Sequence, residues 1–285
     1  MSRWVLRGLA SGIKTTSYPK SPDPGASNAP AAIELNVGAL SPELAIETAR
    51  ICPTEAITIQ GDASTGSLQF DMGQCVLCGR CVRKAPEAFA YRRAPEVAVR
   101  RRRSLETTVS WRDGRIANVA PPNEPADALD KAAELRQRAH RLFGRSLHLR
   151  HVDAGSCNGC ESELQLLTTP YYDLARLGVF FTPTPRHADG LLVTGVVTRQ
   201  MHQALIATYE AVPEPKLVIA AGVCAIGGGC FANGPTTHGP LDSILPVDVY
   251  VPGCPPSPSA LIHGLLLATS KAEERYRPGG ASGGA

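Results

Sequence analysis

The chain has 285 residues, enough for one large or two modest domains with a buried core, and its formal net charge of +3 is too small to imply nucleic acid as a partner. Aromatic residues make up 5 % against 43 % apolar, so the core must be mostly Ala, Val, Leu and Ile, as in sheets flanked by helices. Nine cysteines gathered in CxxC spacings favour metal or redox work over disulfides. No apolar run approaches the ~20 residues of a membrane helix, and the N-terminus lacks a signal-peptide core, so a cytoplasmic protein, free or docked at a membrane, is expected.

Residues 1–19 place Trp4, Val5, Leu9 and Ile13 near helical spacing with Arg3, Arg7 and Lys14 opposite, a short basic amphipathic helix that Pro19 should end. Such a stripe docks on a partner protein or on lipid. Residues 20–31, KSPDPGASNAPA, read as a linker. A small, loop-rich unit is expected over 32–100. It holds the helix-like PELAIETARI, the strand-like LQFDMG, and Cys75, Cys78 and Cys81 as CxxCxxC. Zinc sites seldom use that spacing, which lets three thiolates wrap one face of an iron-sulfur cubane.

Arg100 to Arg103, with Arg92 and Arg93 nearby, form a basic run that reads as a solvated face or a docking site for an acidic partner. No aromatic interleaving accompanies it, so nucleic acid is unsupported. Residues 101–145 are expected to be a linker with a small hairpin at WRDGRI and a bridging helix over 127–143, capped by Asp127 and ended by Gly144.

From 146 to 285 short apolar runs alternate with helical patterns. That argues a parallel, doubly wound α/β sheet of flavodoxin-like type, with a final helix over 258–276. Cys157 and Cys160 follow the run LHLRHVDA, Cys224 follows LVIAAGV, and Cys254 follows VDVYVPG. Each falls where a strand breaks into a Gly- or Pro-rich loop, which is where ligands sit in such sheets. Four thiolates from three loops make an all-cysteine site for zinc or an iron-sulfur cluster.

The N-terminal unit resembles the bacterial two-cluster ferredoxins, in which each half carries CxxCxxCxxxCP and lends its fourth cysteine to the other half's cluster. Here the first half keeps only Cys52 and Pro53, while the second has Cys75, Cys78 and Cys81 but Ala85 and Pro86 where its own fourth cysteine and proline would stand. The resemblance implies one complete [4Fe-4S] cluster on Cys52, Cys75, Cys78 and Cys81. The stretch beginning GIKTTSYP separately resembles the ferredoxin-type subunit of group 4 [NiFe] hydrogenase complexes.

VDAGSCNGCE, HADGLLVTG, GVCAIGGG and VPGCPPSP together resemble the small, cluster-bearing subunit of group 4 [NiFe] hydrogenases, formate hydrogenlyase included, which is homologous to the terminal-cluster subunit of complex I. The likeness implies a second [4Fe-4S] cluster on Cys157, Cys160, Cys224 and Cys254, facing a [NiFe] large subunit. It also implies other iron-sulfur subunits or a soluble carrier as electron partners, and integral membrane subunits that hold the complex on the inner face of the cell membrane. Complex I relatives carry adjacent cysteines where this chain has CxxC, which favours the hydrogenase reading over a quinone-reducing module. A zinc-stapled interaction protein is the alternative from another class.

Glu161 follows the CxxC, as a proton relay, a tuning charge or a structural carboxylate. Gly222 and Gly227 to Gly229 let backbone approach a cluster, and without GxGxxG spacing they do not suggest a nucleotide. Cys230 is expected to be a buried or half-buried free thiol, and His151, His187, His202 and His238 to be surface or packing residues. No nucleophile and base pair appears, so substrate chemistry is expected on another chain.

Overall fold

The computed structural model describes residues 3–25, 30–120, 146–232, 234–269, 272, 274 and 275. Helix α1 (Arg3–Ser11) buries none of its side chains. It stops well before Pro19, because Gly12 at φ +63° takes the left-handed conformation that ends a helix. The following stretch is anchored rather than a free linker. Asp23 is buried and accepts hydrogen bonds from Ser259 Oγ at 2.5 Å and Tyr171 Oη at 2.9 Å, and Tyr18 Oη donates to Glu96 at 3.1 Å.

Strand β1 (Ala32–Leu35) leads to α2 (Pro42–Ile51). Ser41 starts this helix by accepting from the Leu44 amide at 3.2 Å, and Pro42 supplies a preset φ at its first position. Strands β2 (Ile57–Gly61) and β3 (Thr65–Asp71) follow, then the short α3 (Arg80–Lys84) and β4 (Phe89–Arg92), which pairs antiparallel with β1. Strands β5 (Glu106–Arg112) and β6 (Arg115–Ala120) complete a four-stranded antiparallel sheet of order β2-β3-β5-β6.

The hairpin expected at WRDGRI is present, with Asp113 and Gly114 both at positive φ as a two-residue turn requires. The linker expected around it is not. Strand β5 pairs with β3 from Thr65↔Arg112 to Asp71↔Glu106, so this segment is an inner strand of the N-terminal sheet. The alternating burial of Thr107, Val109 and Trp111 explains the pairing, which sequence reading missed beside the arginine run. The bridging helix expected over 127–143 lies outside the described residues.

Two arginines of the run are half-buried and tied within the chain. Arg102 Nη2 and Nη1 donate to the two Asp71 oxygens at 2.5 and 2.8 Å, and Arg100 Nη2 donates to the Leu267 carbonyl at 2.9 Å. These two arginines therefore bind parts of this chain to one another rather than forming a docking face.

Strand β7 (Leu147–Asp153) opens the C-terminal sheet, followed by α4 (Gly159–Leu166), β8 (Val179–Phe181), β9 (Gly190–Thr194), α5 (Arg199–Ala211), β10 (Leu217–Ala221), α6 (Val223–Gly227), β11 (Val249–Val251) and α7 (Pro258–Ala268). All five strands are parallel, in the order β11-β10-β9-β7-β8. That is the flavodoxin-like winding expected from the alternation of patterns. Every residue of β9, β10 and β11 is buried, as a sheet covered on both faces demands. Helix α7 is shorter than expected and buried along its whole length.

The two halves meet at this helix and at the sheet edge. Val99 bridges Tyr250 antiparallel, and the Ala98 amide donates to His263 Nδ1 on α7 at 3.3 Å.

Candidate metal centres

The C-terminal cysteines are delivered by three loops that leave the carboxyl ends of β7, β10 and β11. The first is fixed by Asp153, whose Oδ1 accepts from the amides of Gly155 at 2.9 Å and Ser156 at 2.8 Å. Asn158 at φ +68° then turns the chain into α4, with Cys160 in its first turn. The second and third loops are tied together, since the Gly222 amide donates to Val251 O at 2.9 Å and the Val223 amide to Gly253 O at 3.0 Å.

Glycines stand where these loops close on sulfur, and at Gly222 no side chain fits. A Cβ at Gly222, which sits at φ +88°, would lie 2.6 Å from Cys160 Sγ. One at Gly229 would lie 3.3 Å from Cys224 Sγ, and one at Gly159 3.5 Å from Cys157 Sγ and 3.9 Å from the Pro255 ring. The structure thus brings Cys157, Cys160, Cys224 and Cys254 to one rim of the sheet. Cys160 is buried, Cys224 is half-buried, and Cys157 and Cys254 are exposed.

Burial pushes the Cys224 thiol up to about 12, and the neighbouring Cys254, Cys230 and Cys157 add to the rise. Burial raises the Cys160 thiol too, reinforced by Glu161, Cys224, Cys254 and Cys157. The Cys254 thiol is raised by burial and then by Cys230 and Cys157. Cys160, Cys224 and Cys254 are all raised by burial and by neighbouring thiols, so a cation among them would favour their ionised forms. This donor set, with its glycine cradle, fits an iron-sulfur cluster.

The upstream set is more local. Cys52 caps the end of α2, its amide donating to Ala49 O at 3.1 Å. Leu77 at φ 55° and Gly79 at φ 68° wrap the CxxCxxC loop before Cys81 enters α3. Cys52, Cys75, Cys78 and Cys81 all line one small hollow, with Phe70 and Ile57 beside them. Burial pushes the Cys75 thiol up to about 12 and the Cys81 thiol up to about 11. Cys52 adds to both shifts, so the cysteine that stands far off in sequence is part of this site. The residues fit a second cluster. Among the described residues, no three His, Cys, Asp or Glu side chains converge on a single-ion position.

Cys230 is exposed, not the buried or half-buried thiol expected. The tight turn at Gly228 and Gly229 carries it onto the same rim as Cys224 and Cys254, a placement no spacing motif announced. Glu161 is buried behind Cys160, where it accepts from Ser156 Oγ at 2.7 Å and makes a very short hydrogen bond with Thr194 Oγ1. His151 Nε2 lies 2.9 Å from Thr194 Oγ1 and 3.8 Å from Glu161 Oε1. Burial lowers the His151 pKa, with Glu161 opposing. His202 and His238 stack with ring centroids 4.2 Å apart, and His187 ends a single 3₁₀ turn.

Residues 157–268 match the family model described as the NADH ubiquinone oxidoreductase 20 Kd subunit. The chain is 52 % identical over 131 residues to a probable membrane-bound hydrogenase subunit of Pyrococcus furiosus, covering 46 % of this chain and 78 % of that one. It is 38 % identical over 166 residues to formate hydrogenlyase subunit 7 of Escherichia coli, covering 58 % and 64 %. To an NADH-quinone oxidoreductase subunit of Citrifermentans bemidjiense it is 43 % identical over 125 residues, covering 44 % and 73 %.

Proposed function

Because this chain belongs to the family of the NADH ubiquinone oxidoreductase 20 Kd subunit, which takes in hydrogenase and formate hydrogenlyase subunits, we propose that it is the iron-sulfur electron-transfer subunit of a membrane-associated group 4 [NiFe] hydrogenase complex. Cys157, Cys160, Cys224 and Cys254 hold one [4Fe-4S] cluster, and Cys52, Cys75, Cys78 and Cys81 hold a second. The reading rests chiefly on the rim of the parallel sheet, where three separate loops bring four cysteines against a glycine cradle. A [4Fe-4S] cluster supplies one-electron exchange with little rearrangement.

The chain's own residues do the rest. Cys160 and Cys75 anchor each site from the protein side, and Cys157 and Cys254 present the C-terminal site outward to a [NiFe] large subunit. The N-terminal site exchanges electrons with other iron-sulfur subunits or a soluble carrier. Substrate chemistry resides on the large subunit. Ser156 and Thr194 both hydrogen-bond the Glu161 carboxyl, which favours a positioned group beside Cys160 over a mobile carrier.

Among the described residues no helix is long and apolar enough to cross a membrane. Attachment at the inner face of the cell membrane then falls to integral membrane partners. Helix α1 assists, exposing Trp4, Leu6 and Leu9 beside Arg3 and Arg7. The likeness to a quinone oxidoreductase subunit keeps a second reading, a complex I-like quinone-reducing module.

Anaerobic purification of the complex, with iron, sulfide, nickel and zinc analysis and EPR of the reduced sample, tests all of this. About eight iron and eight sulfide for each copy of this chain in isolation, with nickel in the complex, is the expected result. Eight iron without nickel selects the quinone reading. Zinc without iron would leave a stapled interaction protein.

A further inference from the structure

A crevice of about 580 Å³ is lined by residues from both halves, and its walls include residues near both cysteine sites. Pro53 and Thr54 follow Cys52, Gln74 precedes Cys75, and Gly229 and Cys230 belong to the loop beyond Cys224. At one place the walls touch. A Cβ on Gly227 would lie 2.7 Å from Gln74 Cδ, 2.7 Å from Gly73 O and 2.9 Å from Gln74 Oε1. Only a glycine lets the two halves close to this distance.

Gln74 Oε1 is buried there without a hydrogen-bond partner. Its position is therefore set by packing on Gly227 and not by hydrogen bonding. Such an uncompensated group in a native fold calls for a role.

Resting on the two-cluster reading above, we infer that Gln74 is the positioning residue through which electrons cross between the two sites inside this chain. Gln74 is joined to Cys75 by one peptide bond. Gly227 lies in the short turn that Cys224 opens, where the Gly228 amide donates to Cys224 O at 3.0 Å. From cysteine to cysteine the path is then bonded throughout, except at the single contact between Gln74 and Gly227. One electron leaves one site and arrives at the other, oxidising the first and reducing the second, with no bond made or broken and no proton moved. A neutral side chain suits this place, because it fills the gap without biasing the potential of either site.

The test uses the whole complex and three variants, Gln74→Ala, Gln74→Met and Gly227→Ala. Iron content, the EPR signal of each cluster and both midpoint potentials are measured first. Electron redistribution between the clusters is then followed after a photochemical pulse of reductant. With eight iron retained and potentials unchanged, Gln74→Ala and Gly227→Ala are expected to slow redistribution by about tenfold or more, since small displacements of reacting partners carry rate costs of that order. Gln74→Met, which refills the gap, restores most of the rate. Should Gly227→Ala fail to assemble, the two Gln74 variants still decide.

Unchanged rates in Gln74→Ala with both clusters intact would overturn the bridge while leaving the two-cluster reading in place. A slowed rate that tracks a shifted potential would overturn it as well, because Gln74 would then tune a site and not connect two. Four iron or none in the unmutated chain would overturn the two-cluster reading, and the bridge with it.

Discussion

The two cysteine sites collect their sulfurs by opposite means. Upstream, three of the four ligand candidates lie on one wrapped loop, and only Cys52 arrives from elsewhere, at the end of α2. Downstream, the four come from three loops that meet only because β7, β10 and β11 run parallel and end at one rim. The first arrangement closes on itself and leaves Cys78 as its one exposed sulfur. The second leaves both Cys157 and Cys254 outward. A site assembled by a sheet edge is thereby open to a neighbouring subunit, while a site wrapped by a loop is mostly enclosed by its own chain.

The most direct way to separate the two is to remove one buried sulfur from each. Cys160→Ser is expected to abolish the downstream cluster and Cys75→Ser the upstream one, each lowering iron from about eight to about four per chain and deleting one EPR signal. Loss of both signals from either variant would mean that the sites do not assemble independently.

Next in size is Gly222→Ala. Its side chain would be forced against Cys160 Sγ from a backbone at φ +88°, so strain and overpacking should together cost about 2–4 kcal/mol. Thermal unfolding should register that loss along with the downstream iron. Gly159→Ala, where the nearest sulfur stands at 3.5 Å, should keep its iron and unfold near the parent temperature.

Arg102→Met comes third, at about 2 kcal/mol, because Asp71 would lose two charged hydrogen bonds in a half-buried setting. Denaturant titration checks it, and the upstream signal should broaden more than the downstream one, since Asp71 ends β3 just before the CxxCxxC loop.

A gentler handle is pH. In the metal-free fold Cys75 and Cys224 are pushed up to about 12 and Cys81 to about 11, from ordinary values near 9. The unfolded chain therefore loses these protons first as pH rises, so metal-free stability is intact below about pH 9 and declines toward pH 12. Iron uptake after chelation runs the other way and strengthens from pH 7 to 9, as each thiol must release its proton to bind. Calorimetry and uptake assays across that range give both signs. At the bottom of the scale, Lys84→Ala breaks an ion pair with Glu47 at an open surface and should leave both sites and the unfolding midpoint unchanged.

Much of this was legible in the chain itself. Short apolar runs separated by helical patterns give a parallel sheet because strands buried on both faces carry no polar alternation, and the observed order β11-β10-β9-β7-β8 follows. Spacing singled out Cys75, Cys78, Cys81, Cys157 and Cys160, because ligand geometry constrains local spacing strongly, while Cys224 and Cys254 were marked by strand ends and Cys52 by the ferredoxin resemblance alone. Three things were misread for one reason. β5 looked like part of a linker, Arg100 and Arg102 like a surface run, and residues 20–25 like a tether. In each case a polar stretch finds its partners far along the chain, and no local pattern records a distant partner.

Sequence by itself determined the fold class, the candidate donor atoms and the loops that carry them, because periodicity and cysteine spacing are local properties. Only the tertiary structure decided that Cys230 joins the downstream rim, that Glu161 is pinned between Ser156 and Thr194, and that Gln74 lies on Gly227. Those are contacts between segments remote in the chain. They are fixed by the packing of one half against the other, which no window of residues contains.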